Sequence, residues 1–261
     1  MNLFIKIAAL IETALNGKKY QEEKDKLRLM DLAMWKMFPT PQVGPYVDHP
    51  GYSEHIKECQ KNFIDYATKS MKYDSDRTIG FGDSILAQAK DRIKTVIDPR
   101  LNFSLGGMWA HHMLKNINDM VPLFLSYGFM PKKIVIGTPN GNAILVHQEI
   151  NSVNEQSLIV LNRLRQLFPT SRIIIYGIPM TIVSYAIQNF AAYDTALFKW
   201  MMSDINSVML PLIKGFVENY HILPKADMNS DGVHMTPKGQ VFFGELIEHG
   251  KMGAPRRLIN Q

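Results

Sequence analysis

Apolar positions follow two rhythms along the chain. Up to residue 76 they recur at helical spacing: Leu27, Leu29, Met30, Leu32, Met34, Trp35 and Phe38 form a stripe that Pro39 and Pro41 end. A second helix is predicted from Ser53 to Met71, with Ile56, Phe63, Ile64 and Tyr66 among its apolar positions. Asn2 to Leu15 reads as an amphipathic helix, because Lys6 and Glu12 interrupt its apolar run. Residues 1–76 are therefore expected to form a helical N-terminal extension that packs on the main domain.

From residue 77 onward short β-branched runs alternate with longer amphipathic ones. The predicted strands are Thr78 to Phe81, Leu101 to Ser104, Ile134 to Gly137, Arg172 to Tyr176 and Tyr220 to Leu223. Helices are predicted at Ile85 to Val96, Met108 to Ile117, Asn154 to Leu167, Thr195 to Val217 and Pro237 to His249. Such alternation implies an α/β domain over 77–261, with parallel strands, right-handed crossovers and helices on both faces. Ligands of such sheets bind beyond the carboxyl ends of the strands, which directs attention to the residues that follow each one.

Composition narrows the function classes. The 261 residues are 46% hydrophobic and 20% charged, as in ordinary globular proteins. The net charge is +5, with no basic run resembling a nucleic-acid arm, so no nucleic-acid partner is expected. A single cysteine, Cys59, excludes an intramolecular disulfide and a cysteine-based zinc site. No stretch reaches the roughly 18 uncharged apolar residues of a membrane-spanning helix. With no clear signal peptide, the default expectation is a cytoplasmic protein. The oligomeric state is open. His111 and His112 are adjacent on a predicted helix and should point apart, so no shared metal is expected.

After the first strand comes Ile79-Gly80-Phe81-Gly82-Asp83-Ser84-Ile85-Leu86. A dinucleotide-binding fingerprint would need glycine where Ile85 stands, and a G-x-S-x-G nucleophile elbow would need it where Leu86 stands. What remains is a serine at a strand-to-helix junction, either a helix cap or a nucleophile with its own N–H turned toward a developing anion. Asp83 is expected to brace the loop or cap the helix. A serine nucleophile requires a histidine oriented by a carboxylate. The stretch Asn229-Ser230-Asp231-Gly232-Val233-His234 offers Asp231 and His234 just before a helix start at Thr236-Pro237.

Gly-Asp-Ser at 82–84 followed by Asp-x-x-His at 231–234 resembles the SGNH or GDSL hydrolase family. The family's second block, a glycine after the second strand, has its counterpart in Asn102-Phe103-Ser104-Leu105-Gly106-Gly107, with Gly107 the better match. Its third block, usually Gly-x-Asn-Asp, has an altered counterpart in Gly137-Thr138-Pro139-Asn140-Gly141-Asn142-Ala143, where the aspartate is missing. The resemblance spans about residues 77 to 250. It implies a flavodoxin-like three-layer α/β/α sandwich and hydrolysis of a lipid, short-acyl or acylated-sugar ester, without metal or organic cofactor. Ser84, His234 and Asp231 would be the triad, and the oxyanion would be met by the N–H groups of Ser84 and Gly107 and by the amide of Asn140 or Asn142. Met108 and Trp109, next to the oxyanion glycine, would line an acyl pocket or belong to the core. The same triad would serve an acyltransferase. The altered third block also motivates a non-catalytic binding or scaffold protein.

Overall fold

Four short apolar runs lie side by side as a parallel sheet: Thr78–Phe81 (β1), Lys133–Ile136 (β2), Arg172–Tyr176 (β3) and Ser207–Leu210 (β4), in that spatial order. The computed structural model describes residues 49–74, 76–137, 139, 141–145, 148–177, 186–204, 206–210 and 234–249. The register pairs Ile79 with Ile134, Ile134 with Ile173, and Ile174 with Val208. Continuous burial along β1 to β3 explains why these strands read as unbroken apolar runs: both faces of a parallel sheet are covered.

The covering helices are Tyr52–Lys69 (α1), Ser84–Ala89 (α2), Ala110–Ser126 (α3), Gly141–Leu145 (α4), Ile150–Leu167 (α5), Ala186–Ser203 (α6) and Pro237–His249 (α7). One layer is continuous, with α1 packed on α3, α3 on α5 and α5 on α6. The other is made by α2 packed on α7. Side-chain alternation along β1 separates the two. Phe81 packs on Phe103, itself against Phe124 of α3, whereas Gly80 faces Leu86 of α2.

The described part of the N-terminal extension is tied firmly to the sheet domain. Helix α1 buries Tyr52, Cys59, Phe63 and Tyr66 on one side, and places Glu54 in its first turn and Lys69 in its last, where each complements the helix dipole. The Phe63 ring lies 4.8 Å from Phe124 and 5.2 Å from Phe129. Around this cluster, the Tyr52 hydroxyl donates to Asp119 at 2.9 Å, and Arg100 donates to Asp65 at 2.9 Å and to Ser70 at 2.8 Å. Burial pushes the Cys59 thiol up to about 12, so it stays protonated.

Three predicted elements are corrected. Leu101 to Ser104 is not a full strand: Pro99–Leu101 is a 3-10 turn capped by Asp98, and a single parallel bridge joins Asn102 to Gly80. Backbone bonds still tie the segment to β1, while the Asn102 side chain donates to the Leu86 carbonyl and accepts from the Ser104 N–H. The predicted helix from Thr195 to Val217 ends at Ser203, and β4 follows. Asp204 stops it: its carboxylate accepts from the Asn206 N–H and is gripped by Arg165 at 2.5 and 3.0 Å. The helix predicted to reach Val96 ends at Ala89 and continues as turns, in which Ile93 and Ile97 are buried. The helices expected within residues 2–38 and the strand at Tyr220 to Leu223 lie outside the described residues.

Candidate active site

Ser84 is placed by three local causes. Strand β1 delivers the chain to the carboxyl end of the sheet, and Gly82 allows the backbone to pass over Tyr176. A Cβ at Gly82 would come 2.7 Å from the Tyr176 hydroxyl oxygen. Asp83 then starts α2 as its N-cap, its carboxylate accepting from the Ile85 N–H at 3.0 Å, which sets Ser84 as the first helical residue.

His234 reaches Ser84 from the other end of the domain. Its Nε2 lies 2.8 Å from Ser84 Oγ, with 150 positions between them in the sequence. The docking of α7 on α2 makes that approach, and Gly244 permits it, since a Cβ there would come 2.9 Å from Ile93. Thr236 holds the helix start by accepting from the Gly239 N–H, and Met235 is buried beside it. With Nε2 unprotonated, the serine hydroxyl donates to it, which is the arrangement a general base needs.

Asp83 is buried beneath this pair. Burial raises its carboxyl to about 6, against the opposing pull of the Ile85 N–H and of the His234 charge. Of the residues named from the sequence, Asp231 and Asn140 lie outside the described residues.

The second block runs beside the end of β1. Phe103 N–H donates to the Gly80 carbonyl at 2.8 Å and Leu105 N–H to the Gly82 carbonyl at 3.1 Å. That path carries Gly106 to Ser84: a Cβ at Gly106 would sit 3.7 Å from Ser84 Cβ. Gly107 follows with φ of +78°, a left-handed conformation suited to glycine. Asn142 of the third block donates its amide to the Met108 carbonyl at 2.9 Å, which clamps the segment just after Gly107. Met108 is 1% exposed and belongs to the core, while Trp109 is half-buried against the His111 ring.

The expectation that His111 and His112 point apart is corrected. Their Nε2 atoms are 3.0 Å from each other, and the ring centroids are 3.9 Å apart. Both lie at the first turn of α3, where the Trp109 N–H donates to His112 Nδ1 and draws that ring back toward the helix start. Nδ1 of His112 is then the acceptor, so in neutral His112 the proton is on Nε2, directed at His111. Among the described residues no three His, Cys, Asp or Glu side chains converge as a metal site requires.

His49 also stands at this site, unmarked in the sequence. Its Nε2 is 2.7 Å from the Gly106 carbonyl oxygen, and its ring stands edge-on to His112 with centroids 5.2 Å apart. No motif marks it, and only the neighbouring Pro50-Gly51 turn signals a fixed backbone there. A hollow lined by Asn162, Arg165, Trp200 and Asp204 lies at the amino ends of β3 and β4, away from Ser84. Among the described residues no helix is long and apolar enough to cross a membrane.

No protein-family model matches the sequence, and neither does any curated protein. Solved structures do match. A GDSL-like lipase from Bacteroides thetaiotaomicron superposes with a TM-score of 0.52 at 15% identity, over 73% of this chain and 97% of that one. A lipase from a goat rumen metagenome gives 0.51 at 15% identity, over 69% and 98%. A mutant of an acetyl-xylooligosaccharide esterase from Geobacillus gives 0.50 at 14% identity, over 69% and 95%. What is shared at such identity is the architecture: a parallel sheet between helical layers, the three-layer α/β/α arrangement of this fold.

Proposed function

From the SGNH/GDSL hydrolase fold that the chain has, we propose that it is a serine ester hydrolase working through an acyl-enzyme on Ser84. The observation that carries this is the 2.8 Å approach of His234 Nε2 to Ser84 Oγ, within the reach a general base requires. In the proposed reaction His234 takes the hydroxyl proton as Oγ attacks the ester carbonyl. The imidazolium then gives that proton to the departing alcohol, and water releases the acyl group with His234 again as base. Asp231, three residues before His234 in the sequence, is the proposed carboxylate that orients the imidazole.

The negative charge on the attacked oxygen is assigned to the N–H groups of Ser84 and Gly107 and to the amide of Asn140. Asn142 is given a different task, because its amide already donates to the Met108 carbonyl. Each oxyanion donor is worth ~3 kcal/mol at the transition state. The substrate class is a small-molecule ester, of a lipid, a short acyl group or an acylated sugar. The GDSL-like lipase and the acetyl-xylooligosaccharide esterase among the fold neighbours support that range.

A fluorophosphonate probe tests the reading. Wild type is expected to be labelled and Ser84→Ala not, with parallel loss of hydrolysis of p-nitrophenyl esters of graded chain length. A folded wild type that neither labels nor hydrolyses would overturn it and favour a binding protein on the same fold. Product transfer to an added alcohol in preference to water would make it an acyltransferase.

A further inference from the structure

We propose that His49, from the segment ahead of α1, is a positioning residue for the oxyanion cradle: its ring holds the Gly106 carbonyl and thereby aims the Gly107 N–H at the attacked ester. This rests on the hydrolase reading above.

The contact defines its own chemistry. The Gly106 carbonyl has only lone pairs to offer, so at 2.7 Å the proton must be on His49 Nε2. Neutral His49 therefore has a bare Nδ1, an atom that is buried and has no hydrogen-bond partner among the described residues. The Gly106 C=O and the Gly107 N–H belong to one trans peptide and point in opposite directions. A carbonyl turned toward His49 sends the Gly107 N–H away from it.

Ser84 lies beside this peptide, with its Cβ 3.7 Å from the place a Gly106 side chain would take. His49 also fills the space beside Gly107, where a Cβ would meet Nε2 at 3.3 Å. Two peptides further on, the Met108 carbonyl is held by Asn142 at 2.9 Å. The carbonyls on either side of Gly107 are thus both pinned, one from the N-terminal segment and one from the third block. His49 itself is braced edge-on by His112, whose ring is held by the Trp109 N–H. A left-handed glycine in a loop held at neither end would swing, and the oxyanion would have to order it during the reaction. Holding the peptide before Gly107 and the one after Met108 limits that swing beforehand.

The test compares His49→Phe, His49→Gln and His49→Asn with wild type in kcat and KM on p-nitrophenyl acetate, in fluorophosphonate labelling rate and in thermal unfolding. Glutamine places an N–H near the position of Nε2, asparagine falls short of it, and phenylalanine keeps the ring without a donor. The expected result is a kcat about ten- to a hundredfold lower for Phe and Asn, less than the loss of a whole donor, with KM nearly unchanged and Gln close to wild type. Should Phe fail to fold, the Gln and Asn pair decides.

Equal activity in all four proteins, or equal loss in Gln and Asn, overturns the proposal while leaving the hydrolase reading intact. An inert, unlabelled wild type overturns both. Nitrogen NMR of the His49 ring gives an independent check in the wild-type protein. The Nε2-protonated form is expected, and an Nδ1-protonated neutral ring overturns the proposal whatever the activity.

Discussion

His234 and Ser84, 150 positions apart in the sequence, meet at 2.8 Å where α7 docks on α2. Residues that act as one proton-transfer unit are non-additive on removal. His234→Ala is expected to lower kcat about as much as Ser84→Ala, on the order of a millionfold as in a serine triad, and the double variant to be no worse than either single one. Single-turnover kinetics on the three variants checks this. Losses that multiply in the double variant would mean that the two side chains act separately.

The two asparagines of the third block should separate by kind of defect. Asn140→Ala is expected to cost about a hundred- to a thousandfold in kcat at unchanged stability, the signature of a missing oxyanion donor. Asn142→Ala leaves the Met108 carbonyl unheld, so a loss of ~1 kcal/mol in stability should accompany a smaller fall in kcat. Chemical denaturation run beside the kinetics distinguishes them, and the reverse pattern would exchange their roles.

Asp83 links stability to pH. Burial raises its carboxyl from 3.8 to about 6 in the folded protein, so between those values the fold binds a proton that the unfolded chain releases. Stability from this group is therefore highest below pH 3.8, falls as the pH rises, and is fully lost above about pH 6, by on the order of 3 kcal/mol. Asp83→Asn keeps an acceptor for the Ile85 N–H and removes the ionisation. Its melting temperature should exceed that of wild type at pH 7, with the difference vanishing toward pH 4. A difference independent of pH would refute the assignment.

Gly137 ends β2 under the Tyr176 ring, where a Cβ would come 2.2 Å from the hydroxyl oxygen and 2.6 Å from Cζ. Tyr176 cannot retreat, being fully buried with its ring 4.9 Å from Phe243. Gly137→Ala is expected to destabilise by roughly 1–3 kcal/mol through overpacking. Adding Tyr176→Phe should return part of that loss, since it removes the nearer of the two clashing atoms. A thermodynamic double-mutant cycle measures the coupling, and a value near zero would show that the strain is relieved elsewhere.

Legibility in the sequence followed the range of the forces involved. Thr78–Phe81, Arg172–Tyr176 and Pro237–His249 have the bounds that periodicity and the Thr-Pro helix start predict, because apolar spacing and capping act within a few residues. Leu101 to Ser104 carries strand-like residues and bonds to β1, but the Pro99–Leu101 3-10 turn capped by Asp98 takes up its start and leaves a single bridge. Ser207–Leu210 was hidden inside a helical pattern, and its pairing with β3 across 34 or so positions overrode local preference. Among the candidate site residues, Ser84, His234 and Gly107 are visible as residue types at the ends of elements where the proposal places them, whereas His49 has no local mark at all.

Taken alone, the order of residues determined the alternation of strand and helix, the glycines at which the backbone must turn or pass close, and a serine and a histidine of matched chemistry. Tertiary structure decided that His234 reaches Ser84, that two adjacent imidazoles on α3 meet instead of diverging, and that His49 and Asn142 grip the loop between them. The physical reason is that a hydrogen bond is directional within a few tenths of an ångström, while the apolar pattern that builds the layers constrains only which face is inside.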